Sequence, residues 1–415
     1  MKRKFLLLSL GAALLSAALT GCGTKANENV RETMTPLSVR QVVAADNARG
    51  RTVMWQLPSE VPAALEIRET GSTAVVSFPA VSHLLRGGSG APDSYIYEAA
   101  VRNLAPGKTY EYRTRTGDSV SKWMTLRTDT GASFSALIFP DSQSADYDVW
   151  KNTAQKGFEK MPDADFLISM GDLVDNGQDE SQWQRWFAAV PALKNIPVAP
   201  LMGNHEAYSL DWKTCAPERF LAHFALPQTG DAAFPELFWS FDWGPVHFAV
   251  LNTDMPEIGD LYPNLETAQK EWLARDLETS KKPWRVVLMH RDPLQYRIAA
   301  RPERPEGFSE EGAAFMPVIE KAGADLVLSA HLHTYRNRGH IKNFTRDDTG
   351  PLYILTGVAG DVRYPNLWTD HALDVTVAPQ PETDTFLTME ADAHTLTLRA
   401  YRTDGLLLDE TVLRK

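Results

Sequence analysis

Cysteine is almost absent from this chain, with Cys22 and Cys215 the two in 415 residues. So few cannot build a disulfide framework, and stability must come from packing. Long apolar stretches are scarce as well. The run from Phe5 to Thr20 falls short of the roughly 20 residues that a spanning helix needs. A hydrophobic content of 43% is enough for real cores and too low for a polytopic membrane protein. Basic charge is in deficit, with 42 Lys and Arg against 53 Asp and Glu. Phosphate backbones want a basic face, so no nucleic-acid partner is expected. Internal repeats and low-complexity tracts are missing, and the length points to two or three domains.

The apolar run has a context. Lys2, Arg3 and Lys4 precede it and small residues close it, the pattern of a secretory signal peptide over residues 1–21. Its removal takes away three basic residues and shifts the formal charge from −11 to −14. Leu19-Thr20-Gly21-Cys22 resembles the bacterial lipoprotein box, which implies cleavage before Cys22 and lipidation of its thiol. The expectation is an exported, membrane-anchored protein, periplasmic or at the cell surface, tethered without spanning. Residues 22–35 are polar and lack aromatics, as a flexible tether does.

From 36 to 129 the chain reads as short strands, among them RTVMWQL, STAVVSF and TYEYRTRT, separated by turns such as Ala105-Pro106-Gly107. That spacing predicts a small β-sandwich. It holds no cluster of metal-capable residues, and His83 stands alone there, as expected of an exposed loop residue. From 130 to 415 the pattern changes. Apolar runs (SALIF, DFLISM, PVAPLM, VHFAVL, RVVLM, DLVLSA, LYILTG) alternate with helices expected over Glu180–Lys194, Glu266–Ser280 and Phe308–Lys321. This is an α/β layered domain, and the last segment returns to strands that close a sheet.

Five of those runs end in metal-capable side chains. Asp141 and Gln143 follow the first, Asp172 and Asp175 the second, and Asn204, His205 and Glu206 the third. His290, Arg291 and Asp292 follow RVVLM, and His331 and His333 follow DLVLSA. Each motif alone is ordinary turn chemistry. Five together, at the strand ends where open α/β sheets place their sites, make a constellation. Imidazoles, carboxylates and amides in that number suit two metals sharing one carboxylate, with Asp172 the natural bridge.

The order Asp-x-Gln, GDLVD, GNHE, MHRDP, AHLH resembles the metallophosphoesterase superfamily. The front strands, with LAPGKTYEYR near their end, resemble the fibronectin-III-like domain that precedes purple acid phosphatase catalytic domains. The resemblance implies a β-sandwich followed by a four-layer α/β/β/α catalytic domain. It implies two metal ions (Fe, Mn or Zn) and hydrolysis of a phosphorylated small molecule by a metal-bridging hydroxide. One metal would take Asp141, Asp172, His333 and Gln143. The other would take Asp172, Asn204, His290 and His331. His205 would face the phosphate as a catalytic group.

Three positions depart from that pattern. Asp175 stands where purple acid phosphatases carry their iron-binding tyrosine, so no purple colour is expected. Gln143 stands where other members have histidine, and Ala330 where they have glycine. A further histidine of purple acid phosphatases has no counterpart in RDPLQYRIAA. Arg291, Tyr296 and Arg297 are either substrate-binding or solvated loop residues there, and Asp175 is a candidate partner of a ligating histidine. His247 lies mid-strand and reads as structural, while His223, His340, His371 and His394 show no partner motif. Hydrolysis of monoesters is the leading expectation. A phosphodiesterase of the same superfamily and a non-catalytic surface-binding lipoprotein are the alternatives.

Overall fold

The computed structural model describes residues 35–415 other than 89, 299 and 302. The segments expected to be a signal peptide and, but for its last residue, a tether, with Cys22 among them, therefore lie outside the described residues. Among the described residues no helix is long and apolar enough to cross a membrane.

The half from Phe134 onward, expected from the sequence to be the catalytic one, is built on two facing sheets. In the first, strands Phe134–Phe139, Phe166–Ser169 and Pro197–Pro200 run parallel. The antiparallel C-terminal strands Thr385–Ala391, Thr395–Arg402 and Leu407–Arg414 extend one edge. In the second sheet, Val246–Val250, Trp284–Leu288, Leu326–Ser329 and Leu352–Thr356 run parallel. Aromatic residues join the inner faces: Phe166 lies 4.4 Å from Trp243 and 5.9 Å from Phe248, ring to ring. The helices Tyr147–Lys160 and Glu180–Ala189 pack together outside the first sheet. The helices Leu265–Thr279 and Glu310–Lys321 pack together outside the second.

The expected strands are all present. The helix expected over Glu180–Lys194 stops at Ala189, and Pro191–Lys194 forms a separate 3₁₀ turn. Pro191 has no N–H to continue the helical ladder. The helix Tyr147–Lys160 follows the opening SALIF strand and was hidden by its polar sequence. Asp146 caps it by accepting the Asp148 N–H.

The front strands make a two-sheet sandwich around Val53, Trp55, Leu57, Leu65, Ile67 and Tyr112. Its first sheet is not separate from the catalytic one. The strand Leu37–Val42 pairs in parallel with Pro197–Pro200, so ten strands form one continuous sheet. This explains why Arg51–Leu57 is buried on both faces. Alternation sends Val53, Trp55 and Leu57 into the sandwich and Met54 into the catalytic core. His83 is exposed, as expected, but on the edge strand Val81–Leu85 rather than in a loop.

A buried ionic knot ties the halves together. Glu180 accepts from Arg219 Nη1 at 2.8 Å and from Gln56 Nε2, a front-strand residue, at 3.1 Å. His223 Nε2 lies 3.1 Å from the same carboxylate. Burial opposes the Glu180 charge, yet these partners outweigh it and hold the carboxyl down to about 2. Burial, with Arg40 and Arg219 nearby, lowers the His223 pKa. Arg219, always charged, gives Glu180 a permanent counter-charge at 2.8 Å. Because the folded pKa is depressed, this stabilisation is complete above the ordinary carboxylate range and is lost as pH falls toward 2. Glu180→Ala strands a buried guanidinium and is expected to cost about 3 kcal/mol in urea unfolding at neutral pH. An unchanged midpoint would show that the knot contributes nothing.

Candidate metal centre

The parallel strands of both sheets end on the same side, and their loops meet there. Phe134–Phe139 stops at Pro140 and delivers Asp141, fully buried. Its carboxylate accepts the His331 N–H on both oxygens at 3.1 Å, and its carbonyl accepts from Ala359 and Gly360. Phe166–Ser169 runs into Gly171-Asp172. Gly171 is required there, since a Cβ would lie 2.4 Å from His290 Nδ1. Asp172 is 1% exposed and has a φ of +47°. Its carbonyl accepts from Ser142 and Gln143, and its Oδ1 accepts the His205 N–H at 2.9 Å.

Three of the predicted ligands, Asp172, His331 and His333, have left-handed backbones, with φ of +47°, +75° and +52°. Such conformations are uncommon outside glycine and gather at functional sites, where surrounding contacts hold them. They also bring His331 and His333 to one side. His331 and His333 would face opposite ways on an extended strand, but both lie past Ser329, in a turned segment.

The side chains converge in two overlapping groups. Asp172, His290 and His331 offer ligand atoms within 4.8 Å of one another, and so do Asp141, Asp172 and His333. Asp172 belongs to both. Asn204 joins the first group, its Oδ1 lying 3.3 Å from His290 Nε2. Gln143 is 1% exposed and its Oε1 has no hydrogen-bond partner, an acceptor left open in a dry place. His331 Nδ1 is likewise buried without a partner. Backbone carbonyls set two of the tautomers. His290 Nδ1 donates to Met170 O at 2.9 Å, and His333 Nδ1 donates to Val362 O at 2.9 Å. Each then turns Nε2 toward a carboxylate, 3.1 Å from Asp172 for His290 and 3.5 Å from Asp141 for His333. The donor set fits two cations: oriented imidazoles, buried carboxylates and unclaimed oxygen and nitrogen atoms.

The charged groups of the site compensate one another only in part. Burial opposes the charge of Asp172, but His290 and His205 overcome it and depress its pKa. Burial likewise opposes the His290 charge, and Asp172 lifts that imidazole to about 10. Burial, then His290 and Arg291, push His331 well below its ordinary value.

Asp175 does not support a candidate ligand. Its carbonyl accepts from His205 Nδ1 at 2.6 Å, and its carboxylate lies 3.8 Å from the same nitrogen. The carbonyls of Met170 and Val362 fill the supporting role expected of Asp175. His205 lies outside both groups, half-buried, with Nε2 as its available nitrogen. Arg291 reaches the site, with Nη1 3.4 Å from His331 Nε2, but its charge is already shared. It donates to Glu257 at 2.6 Å and lies 3.4 Å from Asp254. Tyr296 is buried and bonded to Asp374, so it is no substrate contact, while Arg297 is exposed. His247 is structural, clamped between Asp242 and Asp276 at 2.8 Å each.

The role of Glu206 and the presence of Asp254 escaped the sequence reading. Glu206 is fully buried and collects the N–H groups of Asp172, Leu173 and Gly203 at 2.8–3.0 Å. It welds the Gly171-Asp172 turn to the Gly203-Asn204 turn, and its signal was a carboxylate three residues after a turn-opening glycine. Asp254 is fully buried, with neither oxygen hydrogen-bonded, and burial raises its pKa to about 7. No periodicity or motif marked it.

Family models match the chain in tandem. The purple acid phosphatase N-terminal domain matches residues 36–128, and the calcineurin-like phosphoesterase domain matches residues 129–335. The chain belongs to the calcineurin-like phosphoesterases. Among its relatives, purple acid phosphatase 15 of Arabidopsis thaliana is 27% identical over 49% of this chain and 37% of that protein. Acid phosphatase type 7 of Homo sapiens is 25% identical over 64% of each. The chain spans less than half the length of the first plant relatives it matches. The fold matches a purple acid phosphatase, PPD1, from yellow lupin (Lupinus luteus) seeds, with a TM-score of 0.77 and 18% identity. That match covers 92% of this chain and 74% of the lupin chain.

The weld at Glu206 is expected to carry much of the site's order. Glu206→Gln sets an amide NH₂ against backbone N–H groups and should cost about 2 kcal/mol in calorimetric or denaturant unfolding. A variant as stable as the parent would remove Glu206 from this account.

Proposed function

We propose that this chain is a dinuclear-metal phosphoesterase that hydrolyses phosphate monoesters. The observation that carries the reading is the shared carboxylate, Asp172, common to both ligand groups. We assign Asp141, Asp172, His333 and Gln143 to one cation and Asp172, Asn204, His290 and His331 to the other. Two cations bound there would supply positive charge to a phosphoryl group and activate water for attack on phosphorus.

The chain's own residues do the rest. Met170 and Val362 fix the rings of His290 and His333, so no reorientation is needed to bind a metal. Asp175 holds His205 through Nδ1, which leaves Nε2 to hydrogen-bond a phosphoryl oxygen or give a proton to the leaving alcohol. Arg291, neutralised by Glu257 and Asp254, keeps the rim from being strongly cationic. That suits a substrate whose charge is met by metal rather than by arginine. The likeness to acid phosphatases in both halves of the chain favours monoesters over diesters.

The export signal and lipidation of Cys22 complete the proposal, with the protein held at a membrane face. Cys22→Ser should move it from the membrane fraction to the soluble fraction, and continued sedimentation with membranes would oppose the anchor.

The activity test is turnover of nitrophenyl phosphate and bis-nitrophenyl phosphate by metal-stripped protein given Mn, Zn or Fe. We expect metal-dependent hydrolysis of the monoester, with Asn204→Ala lowering kcat/KM by at least about a hundredfold, as loss of a group bound in the transition state does. Preference for the diester would replace the monoesterase reading. Silence toward both esters, with no metal retained, would favour the binding lipoprotein.

A further inference from the structure

Beside the candidate centre lies a short hairpin whose tip carries an exposed tryptophan. Residues Tyr208 and Thr214 pair across it, and Cys215 N–H donates to Ala207 O at 2.8 Å. Within the loop Ser209 N–H donates to Lys213 O at 2.7 Å, and Trp212 N–H donates to Ser209 O at 2.8 Å. Asn176 Nδ2 pins the base by donating to Ser209 O at 2.9 Å. Trp212 has a φ of +61° and is 53% exposed. A bulky side chain in the left-handed region is an outlier, and a large ring left in water is a second one. Neither is explained by packing of the core.

The ring has a definite place. Its centroid is 6.0 Å from that of His205 at an interplanar angle of 86°, and 6.0 Å from that of Tyr208. Tyr208 also stands edge-on to His205, at 5.9 Å and 80°. Tyr208 is tied down by donating its hydroxyl to Glu257 at 3.1 Å, and the loop hydrogen bonds hold the backbone from which the Trp212 ring projects. His205 itself is held by the Asp175 carbonyl. Trp212 therefore forms an apolar wall beside the imidazole that is proposed above to meet the leaving alcohol.

We propose that Trp212 is a stacking wall for the leaving group, and that the preferred substrates are phosphate monoesters of alcohols bearing an aromatic ring or a nucleobase. This rests on the phosphoesterase reading above and adds a substrate class to it. A flat π-system gains from an exposed, preorganised tryptophan, whereas a sugar or glycerol leaving group gains little. An aryl phosphate puts its ring directly on the ester oxygen, and a nucleoside monophosphate puts it one sugar away. These are two sources of the same chemistry.

The test uses metal-loaded full-length protein and three esters: nitrophenyl phosphate, AMP and ribose 5-phosphate. AMP and ribose 5-phosphate share the same leaving primary alcohol and differ in the base. Trp212→Gly removes the ring while glycine accepts the positive φ without strain, so the hairpin should persist. Trp212→Phe keeps an aromatic face. We expect Trp212→Gly to lower kcat/KM about tenfold for AMP, for nitrophenyl phosphate or for both, to leave ribose 5-phosphate unchanged, and Trp212→Phe to restore most of the loss. A loss confined to one aromatic ester identifies which source the wall serves. Equal effects on AMP and ribose 5-phosphate, or no effect on any ester, overturn the stacking wall and leave the hydrolase intact. No turnover of any ester by the parent protein overturns the hydrolase reading and this one with it.

Discussion

Asp172 brings one buried carboxylate into a place that two sets of ligands share. Everything near it serves that placement. Its backbone is left-handed, and the glycine before it has room for no side chain against His290. Its carbonyl organises the Ser142-Gln143 turn, its N–H goes to Glu206, and its Oδ1 receives the His205 N–H. Gly203 is equally constrained, since a Cβ there would lie 2.3 Å from Asp172 Oδ1. Two loops from neighbouring strands thus close on a single acidic group. A buried carboxylate is costly without a counter-charge; His290 lies 3.1 Å from this one, and a bound cation would supply that charge instead.

The surroundings are correspondingly stiff. The inner faces of both sheets are packed with aromatic rings, and the ends of their parallel strands fix the loops from both sides. The front sandwich is part of the same support, because its first strand continues the catalytic sheet and Glu180 bonds to its second strand. Tight carbonyl contacts, rather than carboxylates, orient the two histidines that face Asp141 and Asp172. The arrangement leaves the metal-facing atoms fixed and the rim, with Trp212 and Tyr364, exposed to solvent.

Much of this was legible in the sequence for a physical reason. Strand runs of four to six apolar residues are unambiguous when each stops at Pro, Gly or His, and the side chains that follow must lie at a sheet end. Asp141, Asp172, Asn204, His290, His331 and His333 are recognisable on that ground. The rest depends on contacts between distant segments. Glu206 reads as one more loop carboxylate until its four N–H donors, from Asp172, Leu173, Val174 and Gly203, are seen. Asp254, buried beside Arg291, has no local signature. His223 is silent in sequence because its partner is Glu180, 43 residues away. The continuity of the front and catalytic sheets rests on a two-residue parallel register, Gln41 with Pro197 and Val42 with Val198, which no periodicity reports. Backbone donors and acceptors carry no side-chain identity, so the roles of Met170 and Val362 could not be anticipated, and Asp175 was credited with one of them.

The account stands or falls on two cations sharing Asp172. Bound metal per chain, counted by elemental mass spectrometry on desalted protein after loading with Mn or Zn, measures it directly. The account predicts two ions per chain in the parent, both lost in a folded Asp172→Ala variant, and one kept in His333→Ala. A parent that holds a single ion, or an Asp172→Ala variant that still holds two, would contradict the shared carboxylate and with it the dinuclear centre.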